Sequence, residues 1–249
     1  MTQGTKPRTV AIVQARLGST RLPGKVLLDL AGAPMLARVV HRVRRAGSLD
    51  EVVIATTTEP ADDALAALCT AEGWPCFRGS RDDVLDRYYR AALQHQADLV
   101  VRVCADCPLI EPAIIDRVVG ELRECRPRAD YACNVLPRPT YPLGLDVEAF
   151  WFETLSGVWR EDRNPAWREH VTPFVYHHPA RFAIQGVLHD RDLSAMRWTV
   201  DTPEDLELMR RIYAAFGHDG FSWQEVLTLL EANPQWLEVN RHIPQHVVQ

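Results

Sequence analysis

Val10-Ala11-Ile12-Val13 runs directly into Gln14-Ala15-Arg16-Leu17-Gly18-Ser19-Thr20-Arg21-Leu22-Pro23-Gly24-Lys25-Val26-Leu27. The first four residues are continuously apolar, the pattern of a parallel strand covered on both faces. The stretch after them carries three cations, two hydroxyls and two glycines, and no acid. A strand that empties into such a loop suits a polyphosphate. Backbone N–H groups reach the oxygens where glycine removes the side chain, and Arg and Lys neutralise the charge.

Working outward, strands and helices alternate. Pro34 opens a helical run in which Leu36, Val39, Val40 and Val43 recur at helical spacing, and Gly47 stops it. Arg38, Arg42, Arg44 and Arg45 crowd that helix and read as a solvated face with favourable charge near a helix C-terminus. Strands are expected at 51–55, 74–77 and 99–103, and helices at 61–72 and 84–96. This order predicts an α/β fold with a mostly parallel sheet covered on both faces. From about Leu136 to Val187 prolines and aromatics break the pattern, and an irregular acceptor-binding or dimerisation excursion is expected there, leaving room for a homodimer. Met196 to Asp201 reads as a further strand. Thr202 as N-cap, Pro203 at the first helical position and the acids after it start a helix to about Phe216, and Ser222 to Ala232 is a last one. The 249 residues are expected to form a single domain.

The formal charge of −5 argues against broad nucleic-acid binding, so the positive loop is a local feature suited to a small anion. No apolar run approaches the length of a membrane span, and the first residues do not read as a signal peptide. A cytoplasmic protein with reduced thiols is the expectation. Cys104-Ala105-Asp106-Cys107 lacks a second pair to complete a zinc site and reads as buried thiols at a strand end. His177-His178 has no third ligand and reads as surface.

Two carboxylates stand out. Asp106 follows the 99–103 strand, and Asp201 ends the 196–201 segment. Ligands of open α/β sheets gather outside the carboxyl ends of strands. Two carboxylates beside a cationic cradle are what Mg²⁺ needs when it shares its ligands with substrate phosphates. The implied chemistry is attack of a hydroxyl on a nucleotide α-phosphate with loss of pyrophosphate, with Lys25, Arg21 and Arg16 as catalytic cations.

At these residues the chain resembles the sugar-acid cytidylyltransferases, which make CMP-Kdo and CMP-sialic acid, and within them the spore-coat-polysaccharide branch. The resemblance rests on the 14–27 loop and on collinear matches at Arg78-Gly79-Ser80 with Asp83-Val84-Leu85, Asp106-Cys107-Pro108-Leu109-Ile110, Gly144-Leu145-Asp146-Val147-Glu148, Glu169-His170-Val171-Thr172-Pro173 and Val200-Asp201-Thr202-Pro203-Glu204-Asp205-Leu206. It implies a nucleotide-diphospho-sugar-transferase-like three-layer sandwich with a mixed, mostly parallel sheet. It also implies CTP as donor, Mg²⁺ as cofactor and a small anionic sugar-like acceptor, in surface polysaccharide or natural-product biosynthesis. By motif match Ala15, Arg16, Gly18, Ser19, Lys25, Arg78, Gly79 and Ser80 would bind the nucleotide, and Asp106 and Asp201 the metal. Asn134, Asp146, Glu148 and His170 are the expected acceptor contacts. The Kdo-type enzymes have Gly-Asp-Glu-Pro where this chain has Ala105-Asp106-Cys107-Pro108, which points to a different acceptor. A metal-dependent glycosyltransferase on the same fold would want a strand-end Asp-x-Asp, and a non-catalytic nucleotide-binding subunit would not need Lys25, Asp106 and Asp201 together.

Overall fold

The structure, a computed structural model, describes residues 6–125 and 128–245. Strands β1 (Thr9–Gln14), β2 (Glu51–Thr57), β3 (Cys76–Gly79) and β4 (Leu99–Cys104) pair in parallel. Strands β5 (Tyr131–Cys133), β6 (Glu148–Trp151) and β7 (Ile184–Gly186) extend the sheet. There β6 runs antiparallel to β4 and β5, and β5 runs parallel to β7, giving the seven-stranded order β3-β2-β1-β4-β6-β5-β7. The sheet is therefore mixed and mostly parallel, as expected.

Val10 to Val13 are fully buried because the strand lies at the centre and side chains alternate across it. Ala11 and Val13 pack into a core with α1 (Met35–Val43), α4 (Pro112–Glu124), α8 (Pro203–Phe216) and α9 (Trp223–Ala232). Val10 and Ile12 pack on the other face with α3 (Val84–Gln94) and α5 (Phe152–Glu161). Each buried Val or Ile contributes about 1.5–3 kcal/mol relative to exposure, and the two cores make the three layers. Helix α2 (Asp63–Ala71) contributes Leu65 and Cys69 to the first core. Among the described residues no helix is long and apolar enough to cross a membrane.

Three local expectations fail. Met196 to Asp201 is not a sheet strand: its ladder contact is a single bridge between Leu143 and Arg197. Trp198 and Val200 are fully buried, so the segment has the composition of a strand. Its backbone, however, bonds to Leu143 and to the carbonyl of Asp106 (Trp198 N to Leu143 O 2.7 Å, Val200 N to Asp106 O 2.8 Å). Gly144, at φ +108°, permits this approach, since a Cβ there would lie 2.6 Å from the Thr199 nitrogen.

The stretch from 136 to 187 is also more ordered than its prolines suggest. It holds β6, β7 and α5, with α6 (Pro165–His170) and α7 (Pro173–Tyr176) between them. Elements this short leave little periodicity to read. Helix α4 itself was not among the expected elements, although Pro112 in its first turn marks its start.

Arg42 is the third departure. It is fully buried rather than solvated. Its guanidinium donates to the carbonyls of Ile110 (2.8 Å), Asp219 (2.9 Å) and Phe221 (3.0 Å) and pairs with Glu111 at 3.3 Å. It thereby ties α1 to the starts of α4 and α9. Replacing it strands several buried acceptors, so Arg42→Leu is expected to cost about 3 kcal/mol in urea unfolding. A loss below about 1 kcal/mol would show that those acceptors find other donors.

Candidate active site

The loop that leaves β1 turns back through Gly24, at φ +68°, whose N–H donates to Leu17 O at 3.1 Å. That reversal delivers Lys25 beneath the carboxyl ends of β1 and β4. Lys25 is 8% exposed. Its ammonium is 2.7 Å from Asp106 Oδ2, 2.7 Å from Asp201 Oδ1 and 2.8 Å from the carbonyl of Val200. Three segments distant in sequence meet on one nitrogen.

Asp201 is shared further. Arg21 approaches its other oxygen at 3.1 Å and Arg197 at 2.8 Å. Arg197 is held in turn by the fully buried Asp205 at 2.9 Å. Asp205 also completes a capping box with Thr202 at the start of α8. Burial alone would raise the pKa of Asp201, but the charge and hydrogen bond of Lys25, then Arg21 and Arg197, hold it below its ordinary value. Burial would lower Lys25, and Asp106 and Asp201 override it, so the ammonium is held above its ordinary range.

Two cavities meet here. The first, about 370 Å³, is lined by Ala15, Arg16, Gly18, Ser19, Arg21 and Lys25 on the loop side. The second, about 450 Å³, contains Asp146, Glu148 and His170 with an apolar wall that includes Val135, Leu136 and Leu143. Arg21, Cys104, Asp106, His170 and Asp201 border both. In the second cavity Glu148 is ion-paired with Arg102 and accepts from the Tyr131 hydroxyl at 3.0 Å. Burial, and then the Glu148 charge, push Asp146 up to about 7 against the opposing pull of Arg102. Burial and Arg102 lower the pKa of His170, favouring the neutral ring.

The expected nucleotide residues divide. The 15–25 set lines the first cavity, but Arg78, Gly79 and Ser80 line neither; they border a shallow groove of their own. Strand β3 is at the sheet edge, separated from β1 by β2. The Arg78 guanidinium is held by the carbonyls of Thr57 (2.8 Å) and Glu59 (3.0 Å) and by Asp63 (2.8 Å). Asn134, expected as an acceptor contact, is turned to the backbone instead. It is 1% exposed, its amide donates to Leu145 O and accepts from Val147 N, each at 2.8 Å, and it lines neither cavity.

Sequence reading gave no site role to Gln14, Val84 and Arg87 in the first cavity, although Gln14 and Val84 fall in the matched motifs, nor to Arg102 and Arg197 in the second. Arg87 left a trace, as a cation among the apolar positions of α3 at 84, 85, 88, 91 and 92. Among the described residues no disulfide joins the cysteines, and Cys107 is buried.

Asp106 and Asp201 offer hard carboxylate oxygens suited to a divalent cation, and one oxygen of each already bonds to the Lys25 ammonium. No cluster of three or more His, Cys, Asp or Glu suited to a metal occurs among the described residues. Such an ion would therefore complete its shell with water and substrate phosphates, the habit of Mg²⁺.

A family model described as Cytidylyltransferase matches residues 10–233. The Bacillus subtilis (strain 168) spore coat polysaccharide biosynthesis protein SpsF is 34% identical over 234 residues, covering 90% of this chain and 94% of that protein. A 3-deoxy-manno-octulosonate cytidylyltransferase of Geobacter sulfurreducens is 42% identical over 116 residues, 46% of this chain and 45% of that one. A solved structure of a cytidylyltransferase from Leptospira borgpetersenii serovar Hardjo-bovis matches with a TM-score of 0.89 at 31% identity, covering 98% of this chain and all of that one.

Two stability predictions follow from the charges. The depressed pKa of Asp201 contributes stability present above its unfolded value of about 3.8 and lost as pH falls through the folded value. In Lys25→Met that acid-side loss should shrink, and thermal melts at neutral pH should fall because two facing carboxylates lose their cation. Asp146 has the opposite sign. Its raised pKa makes stability decline as pH rises from about 4 to about 7, so Asp146→Asn should melt higher than the unmodified protein at pH 8 and nearly equal to it at pH 4.

Proposed function

Because the chain belongs to the cytidylyltransferase family, we propose that it transfers CMP from CTP to a sugar acid or a related acceptor, releasing pyrophosphate, in polysaccharide biosynthesis. The observation that carries this reading is the ammonium of Lys25, in the wall of the first cavity, clamped between Asp106 and Asp201, which border both cavities. A donor in the loop-lined cavity and an acceptor in the other would then face each other across that wall.

Arg16 and Ser19 offer donors to the triphosphate, Lys25 contributes its charge because its three N–H groups are taken by Asp106, Asp201 and the Val200 carbonyl, and Arg21 adds a cation for the charge that develops on the departing pyrophosphate. Asp106 and Asp201 would hold a divalent ion, Mg²⁺ by the chemistry of the donors, which supplies Lewis-acid polarisation of phosphoryl oxygens when bound. In the second cavity Asp146, Glu148 and His170 fix the acceptor. A hydroxyl oxygen of the acceptor forms its bond to the α-phosphorus as the bond from that phosphorus to the bridging oxygen breaks. Pyrophosphate carries that electron pair away, and Asp146, titrating at about 7, is suited to take the hydroxyl proton. The apolar wall keeps competing water from the phosphorus.

The test is pyrophosphate release with each of the four nucleoside triphosphates and a divalent ion across a panel of sugar acids. Release is expected with CTP, dependent on acceptor and abolished by chelation. Asp106→Asn and Lys25→Met should each lower kcat by about a hundredfold or more. Turnover of a nucleotide-sugar with no pyrophosphate formed from any triphosphate would overturn the reading in favour of glycosyl transfer.

A further inference from the structure

One backbone position beside the site is strained. Val171 ends α6 at φ +72° and ψ −52°, and the N–H of Thr172 donates to the carbonyl of His170 at 2.9 Å. This is a γ-turn of the rare, strained hand. A helix end that turns to positive φ ordinarily carries Gly or Asn, and a β-branched residue there is an outlier. Such strain persists only where the surroundings over-determine it, and it gathers at functional sites.

Here the turn is held from three sides. Val171 is 2% exposed and packs in the core shared with α3 and α5. There it meets Phe150, Leu155, Val158 and Val175 around a gap of only about 10 Å³. Ahead of the turn, Arg168 grips Asp83 through two nitrogens at 2.9 and 2.7 Å and donates to the carbonyls of Trp159 (3.1 Å) and Asp162 (2.9 Å). Glu169 pairs with Arg16 of the cationic loop at 3.5 Å. Beyond the turn, Pro173 opens α7.

The reversal decides what the second cavity meets. Residues two apart on a helix do not share a face, yet His170 and Thr172 both line that cavity, with Tyr176 of α7 beside them. Val171, between them, lines neither cavity. We infer that Val171 is a positioning residue of the acceptor site: its side chain, anchored in the core, holds the strained turn, and the turn aims His170 and Thr172 at the acceptor. This rests on the reading of the second cavity as the acceptor site. A residue that merely filled the core would not need this backbone, and a glycine that tolerated the backbone would have no anchor.

The experiment compares the unmodified protein with Val171→Ala, Val171→Gly and Val171→Ile. It reads kinetics with CTP and the sugar acid that supports release, unliganded melts, and the titration of the His170 ring by NMR, its signal identified by its loss in His170→Gln. Val171→Ala should lower kcat/KM for the acceptor about 10-fold to 100-fold and leave KM for CTP nearly unchanged. Val171→Ile, which keeps the branched anchor, should restore most of the loss. Val171→Gly should lose acceptor kcat/KM as well, yet melt about 2–4 °C above Val171→Ala, because only glycine is unstrained at this φ. Burial and Arg102 hold the His170 ring below its ordinary 6.5, and in Val171→Ala it should titrate closer to that value. If Val171→Ala does not fold, Val171→Gly carries the same comparisons. A lowered melt with unchanged acceptor kcat/KM and unchanged His170 titration would make Val171 core packing only and overturn the inference. Equal losses for CTP and acceptor, or a glycine variant that melts below the alanine one, would do the same. If the unmodified protein releases no pyrophosphate from CTP with any acceptor, the functional reading falls, while the His170 titration and the order of the melts still test the turn.

Discussion

The ammonium of Lys25 carries the arrangement of the site. It bonds at once to the turn after β4, through Asp106, and to the entry of α8, through Asp201 and the Val200 carbonyl. None of these contacts is local: Asp106 is 81 residues away and Asp201 176. The charges compensate because the cation is nearly buried while both carboxylates keep some access to solvent. Without it, two acids would face each other at the carboxyl edge of the sheet. With it, the unliganded site holds a cation at the point where its two acids converge.

Behind Asp201 a second row keeps the clamp in register. Arg197 bridges Asp201 and the buried Asp205, and Asn240 donates to both the carbonyl of Arg197 and Asp205, each at 2.9 Å. The capping box of α8 thus serves two purposes with one carboxylate, satisfying helix N–H groups and aligning Arg197. The two cavities share this wall and differ in the rest of their lining. Beyond the shared residues, the loop side adds Arg16, Lys25 and Arg87 with Glu169, while the side reached from β6 adds Asp146 and Glu148 with Arg102 and Arg197 against an apolar surface.

Much of the site was legible because its chemistry is concentrated in short runs. Arg16, Ser19, Arg21 and Lys25 occupy one loop, and Asp106 and Asp201 follow apolar segments whose burial is evident from composition. Asp201 does lie beside Lys25 and Asp106, but its segment reaches them from outside the sheet ladder rather than as a strand end. Residues 78–80 lie outside both cavities because their strand is at the sheet edge, which a motif match does not reveal. Asn134 misled because a buried amide can spend both its ends on backbone, which sequence does not reveal. Arg42 and Arg87 show the same limit with cations. One is consumed by carbonyls in the core and the other lies in the wall of the first cavity, although both occur on helices of similar pattern.

By itself the sequence determined the alternation of strand and helix, the central buried strand, the cationic loop and the start of α8. Each of these depends on residues within a few positions of one another, where side-chain alternation, glycine and capping chemistry act directly. Tertiary structure alone decided which carboxylates share Lys25, where the acceptor-side strands insert and which cavity receives Arg87. Those outcomes depend on strand order and on the bend at Gly144 that brings Leu143 against Trp198. Such contacts join residues far apart in the chain, and their energies depend on burial and on partners that no local pattern specifies.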